Sequence, residues 1–230
     1  MDAKETILSR IREGLKDVRT GDEANAVPKP PIPEVWPIVG LTEDQKFDLF
    51  QAELHKVAGE LQRRSDATQA REAIQEFLYL NNLKTLAVDD KPLLHEIAAG
   101  LQGIETALSS QWDESDERGI KNLISGIDCS LVEAEAFLAD TGSCLMRNRT
   151  VFERLCCYLA PVCIVVGQKS TIYENMPDVW PKFKELVSQT TEGEFLFVTG
   201  PSRTADIEKK LVLGVHGPRK LLVVLIDSPN

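Results

Sequence analysis

The stretch FLFVTGPSRTADIEKKLVLGVHGPRKLLVVLID, Phe195 to Asp227, decides the fold class. Its two ends, FLFV and LLVVLI, are continuous apolar runs, the pattern of strands buried on both faces in a helix-covered parallel sheet. Between them lie Gly200, Ser202, Arg203, Thr204, Asp206, His216, Gly217 and Arg219. Residues this demanding, set between two buried strands, form either an elaborate connection or a place for an anion. ADIEKKLVL reads as a short helix capped by Ser202 or Thr204. A helix start with free N–H groups, two hydroxyls and the Arg203 guanidinium suits an anion. Gly200 ends a strand and allows close backbone approach, and open α/β sheets form their ligand crevices at the carboxyl ends of strands. The plainer alternative leaves one hydroxyl as a cap and pairs Arg203 with Asp206 or Glu208. His216, in the turn GVHGPRK, is either an acid–base group near neutral pH or a turn residue bonded to backbone carbonyls. The connection from 199 to 219 is long enough for a crossover between parallel neighbours.

Upstream, apolar runs alternate with helical periodicity. LTEDQKFDLFQAELHKVAGELQR reads as one helix from a Thr42 cap, with Phe47, Phe50, Leu54, Val57 and Leu61 on one face. A second helix covers Ala67 to Leu80. KTLAVDD reads as a strand and LLHEIAAGLQGIETAL as a helix. LISGID, the segment around AFLADTGSCLM and the region FERLCCYLAPVCIVV read as strands, and DVWPKFKELVSQT as a helix. The fold class is therefore α/β, a mainly parallel sheet with helices on both faces. Residues 1–37 form an extension: an amphipathic helix over 3–18, then VPKPPIPEVWP, whose five prolines favour an extended linker. Residues 38–230 form the α/β domain, with 38–80 its helical part. The stripe Ile7, Ile11, Leu15 and Val18 docks on its own domain or on a sister subunit, the latter giving a homodimer.

The net charge of −10 excludes non-specific binding to nucleic acid or anionic lipid, and no apolar run is long enough to span a bilayer. The charged start MDAKETILSRIREGLKD has no apolar signal core, so the expected location is the cytoplasm. Five cysteines without a CxxC pair read as reduced thiols, and three scattered histidines predict no metal site and no cofactor held by this chain. LADTGSC, Leu138 to Cys144, is a further candidate. Asp140 is a base, a nucleophile or a partner for a ligand hydroxyl, and Thr141, Gly142 and Ser143 can hold an anion. A hairpin turn closed by the aspartate is the structural alternative.

Taken together, LADTGSC at 138–144, VTGPSRTADIE at 198–208 and GVHGPRKLLVVLID at 214–227 resemble the LUD-domain family, the lactate utilisation protein C group, over roughly residues 80 to 227. The resemblance implies a fold similar to the sugar-phosphate isomerase and CoA-transferase (NagB/RpiA-like) superfamily. It also implies a bacterial role in oxidising L-lactate to pyruvate beside iron–sulfur partner proteins, as an accessory or regulatory subunit binding a small anionic ligand. The alternative that the fold supplies is an independent enzyme using a CoA thioester, a sugar phosphate or a folate. Where the family often carries Glu and Thr, this chain has Asp140 and Ser143, and Asp140 reaches one methylene less far.

Overall fold

The computed structural model describes residues 3–19, 40–189, 193–205, 211–213 and 217–227. The chain divides into two compact units, Met1–Pro37 and Ile38–Asn230. In the first, α1 (Ala3–Arg19) exposes Ile7, Leu8 and Ile11. The proline-rich segment 27–37 lies outside the described residues.

The second unit opens with α2 (Glu43–Lys56), started by a reciprocal capping box between Thr42 and Gln45. The expected continuation to Leu61 fails. Ala58 takes a left-handed conformation (φ 64°) and the Gly59 amide turns back onto the Leu54 carbonyl, 3.0 Å away. The chain then enters β1 (Glu60–Arg64), so residues 38–80 are not wholly helical. Capped by Asp66, α3 (Ala67–Leu80) spans the expected residues and is followed by β2 (Thr85–Val88). LLHEIAAGLQGIETAL is not one helix. Its first half is α4 (Pro92–Ala99), and its second, after Gly100 and the left-handed Gly103, is β3 (Glu105–Leu108), parallel to β2. LISGID is the end of a helix, α5 (Glu117–Gly126), because Ile120 and Ile124 point one turn apart into the core. Then come β4 (Cys129–Glu133), β5 (Ala136–Leu138) and β6 (Ser143–Asn148). FERLCCY, expected within a strand region, is helix α6 (Val151–Tyr158), started by a Thr150–Glu153 capping box. β7 (Val162–Gln168), β8 (Ile172–Tyr173), α7 (Met176–Gln189) and β9 (Glu194–Val198) follow. The expected helix ADIEKKLVL is overturned at both ends: Arg203–Ala205 (β10) pairs antiparallel with Leu211–Leu213 (β11). The last strand is β12 (Lys220–Ile226).

Six strands form a fully parallel sheet in the order β1-β12-β7-β4-β2-β3. Four more form a second sheet, β8-β5-β6-β9, in which β6 runs antiparallel to both neighbours. EFLFV, the first run of the opening stretch, is thus β9 of the small sheet. It is not a parallel neighbour of β12, and 199–219 is no crossover within one sheet. Along β12, Leu221, Val223 and Leu225 enter the core beneath α2, α5 and α6, while Leu222, Val224 and Ile226 enter the core beneath α3 and α4. This alternation between two covered faces makes both runs of residues equally apolar. Leu222 is fully buried in the second core. Leu222→Ala should cost about 2–5 kcal/mol, read as a lower urea midpoint with unchanged slope.

Candidate functional site

The β5–β6 turn and the loop after β9 meet at the last turn of α2. Gly142 has φ 65°, and a Cβ there would lie 2.5 Å from the backbone nitrogen of Leu54. Gly200 has φ 136°, and its Cβ would lie 2.8 Å from Cγ2 of Val57. Both positions demand glycine twice over, by backbone conformation and by contact with the end of α2. The antiparallel register pairs Cys144 with Val198, which sets Ser143 beside Thr199. Their hydroxyl oxygens are 2.8 Å apart, and Thr141 Oγ1 is 2.8 Å from Ser143 Oγ on the other side. Three hydroxyls therefore stand in series across two loops, with the middle one buried.

A third loop joins them. The Ser202 amide donates to the Pro218 carbonyl (2.7 Å), and a Cβ on Gly217 would lie 3.2 Å from Cβ of Ser202. The Arg219 amide donates to the Pro161 carbonyl just before β7, and its side chain is exposed. Pro161 and Arg219 precede β7 and β12, so this loop lies at the amino edge of the parallel sheet, not at the carboxyl edge expected from the motif. Ligand recognition here cannot rest on a helix start at Ser202, since the described backbone at 203–205 is extended. The side chains of Arg203 and Thr204 lie outside the described residues, as do Asp206, Glu208 and His216.

Asp140 borders the hydroxyl series. Its amide donates to the Glu174 carbonyl, and its Oδ1, shielded from solvent, has no hydrogen-bond partner among the described residues. Burial raises the Asp140 pKa, the Thr141 hydroxyl opposes that shift, and the Glu53 carboxylate adds to it. With Glu53 nearby and the carbonyl end of α2 against both glycines, the described part of this crevice is electronegative. It offers hydroxyl donors in series beside a carboxyl group held toward its protonated form.

Sequence reading missed Thr199, although it directly precedes the glycine of the quoted motif. It also missed a buried acid pair at the carboxyl edge, Asp89 after β2 and Glu153 in α6. Burial, then the Glu153 carboxylate, pushes the Asp89 pKa up to about 7, with Lys91 opposing. The adjacent acids Asp89 and Asp90 directly after an apolar strand were the available signal. All five cysteines are buried, and burial pushes their thiols up, Cys163 to about 11. Among the described residues, no three His, Cys, Asp or Glu side chains are placed to share a metal ion, and no helix is long and apolar enough to cross a membrane.

A profile of the LUD domain matches residues 47–226. The chain is similar to "Lactate utilization protein C" of Bacillus subtilis (strain 168), 24% identical over 98% of this chain and 96% of that protein. The protein of the same name from Shouchella clausii (strain KSM-K16) is 26% identical over 72% of each. That of Bacillus pumilus (strain SAFR-032) is 34% identical over 43% of this chain and 42% of that protein. A crystal structure of a DUF162 family protein from Deinococcus radiodurans superposes with a TM-score of 0.58 at 14% identity, covering 81% of this chain and 99% of that one. At this identity the likeness shows a shared fold.

Two measurements test this geometry. Gly142→Ala forces a left-handed alanine against the Leu54 backbone and should lower stability by about 1–3 kcal/mol in chemical denaturation. Asp89, whose folded pKa of about 7 lies above its unfolded value near 3.8, binds its proton more tightly when native. Its contribution is fully present below about pH 4 and is lost as pH rises through 7. Asp89→Asn should therefore flatten the fall in Tm between pH 5 and 8 relative to the unsubstituted protein.

Proposed function

This chain belongs to the LUD-domain family, and from that premise we propose that it serves L-lactate utilisation as a subunit that binds a small anionic ligand beside iron–sulfur partner proteins. The names of its relatives support the lactate role, one of them aligned over 98% of this chain. The observation that carries the ligand reading is the Thr141–Ser143–Thr199 hydroxyl series, with the Asp140 Oδ1, unpartnered among the described residues, beside it. A 2-hydroxy acid matches that pairing. Its carboxylate accepts from the hydroxyl at the end of the series, and its own hydroxyl donates to Asp140. The electronegative surroundings oppose the negative charge, so the hydroxyl donors of the series and the ligand's own donor to Asp140 must offset that cost. Oxidation of lactate to pyruvate releases two electrons and two protons. In this reading the electrons pass to the iron–sulfur partners, while this chain holds and orients the anion.

Growth on L-lactate as sole carbon source tests the assignment. A deletion strain should fail to grow, and the intact chain should restore growth. Ser143→Ala, which removes the link between the two loops, should restore it poorly while keeping a folded protein by Tm. Normal growth of the deletion strain overturns the lactate role. Thermal stabilisation of that untouched protein by CoA, a sugar phosphate or a folate would transfer it to the independent-enzyme reading.

A further inference from the structure

The far end of β6 from Ser143 opens onto a second concave surface. A cavity of about 410 Å³ is bounded there by Asn148, Arg149, Thr150, Arg154, Gly193 and Glu194. It lies toward the carboxyl edge of the parallel sheet, where α6 begins and the Val151 amide donates to Glu114 in the loop after β3, at 2.7 Å. Gly193 has φ 96°, and a Cβ on it would stand 2.3 Å from the Asn148 carbonyl oxygen, so only glycine lets the chain enter β9 against this floor.

The polar groups of the floor are already committed. Asn148 is buried; its Nδ2 donates to Glu194 Oε1 at 3.1 Å, and its Oδ1 faces the Cys157 thiol at 3.7 Å. That amide fixes the Glu194 carboxylate on one side of the cavity. The start of α6 is also occupied, since Glu153 Oε2 accepts from the Arg149 and Thr150 amides and Glu114 accepts from Val151. Neither the helix dipole nor a free amide is what the cavity offers.

What it offers is two guanidinium groups. Arg149 and Arg154 are exposed, and neither has an ion-pair partner among the described residues. The chain has 36 acidic residues against 26 basic ones, so cations without a carboxylate are not a by-product of charge balance. Paired guanidinium forks recognise planar or tetrahedral oxyanions by charge-assisted hydrogen bonds.

We propose that this cavity is a binding site for a small oxyanion, a carboxylate or a phosphate, held between Arg149 and Arg154 with Glu194 accepting from a hydroxyl of the same ligand. It is separate from the Ser143 crevice. β6, six residues of extended strand from Ser143 to Asn148, spans the two, on the order of 17 Å, so one small ligand does not reach both. The site therefore stands whether or not the lactate reading does.

Isothermal titration, at low ionic strength, of the full chain carrying Ser143→Ala, which disables the hydroxyl crevice, with inorganic phosphate and separately with L-lactate tests the proposal. Low salt matters because exposed guanidinium groups are screened. Binding of at least one anion is expected, weakened about tenfold by Arg149→Ala and again by Arg154→Ala. Whichever anion binds more tightly identifies the oxyanion class. No binding of either anion, or binding that survives both arginine substitutions, overturns the site.

Discussion

The parallel sheet depends on the insertion of β12 between β1 and β7. In that sheet β1 is paired with β12 and nothing else, so the register from Glu60↔Leu222 to Arg64↔Ile226 attaches the edge to the centre. The partners are separated by about 160 residues of chain, a loop-closure cost that the hydrogen-bond ladder alone does not offset. The compensating term is burial on both faces. Leu222, Val223, Val224 and Leu225 have no exposed surface, and each such side chain is worth about 1.5–3 kcal/mol over its exposed state. α2 and α3, which flank β1 in the chain, pack on opposite faces of β12.

The sequence makes this strand and its neighbour β7 visible, because burial on two faces leaves continuous apolar runs that helical periodicity cannot mimic. It makes α3 visible for the opposite reason, a clean 3.6-residue stripe between the Asp66 cap and Asn81. The failures share a cause. In GELQR, GIETAL and LISGI, short segments of mixed polarity fit both periods, and the choice fell to glycines or to long-range pairing. Gly100 and Gly103 stop α4, and Thr85↔Glu105 pairing then makes Glu105–Leu108 a strand. ADIEKKLVL supplies Ala205 to β10 and Leu211–Leu213 to β11, and local propensity does not exclude that antiparallel pair.

The crevice shows the same division. Gly142, Ser143 and Gly200 were readable as unusual residues, since a left-handed turn and a hydroxyl between apolar positions each leave a mark. Their meeting was not readable. It follows from the β6–β9 register, which pairs residues 46 to 54 positions apart, and from the end of α2, whose Leu54 backbone and Val57 side chain fill the space that two Cβ atoms would have taken. Placing EFLFV in the wrong sheet also moved the loop to the wrong edge. A motif names the residues of a site, but the strand partner decides which side of the molecule they occupy.

β6 is buried along its whole length, with Ser143 at one end and Asn148 at the other. A pleated strand clamped between β5 and β9 cannot slide by one residue without turning every side chain to the wrong face. Drift in this protein over generations is therefore constrained in an unusual way. A replacement inside β6 that nudges the strand displaces the hydroxyl end and the amide end together. The two ends of the strand must accordingly change in concert, or through substitutions in the loops beyond it, where each can vary without disturbing the other.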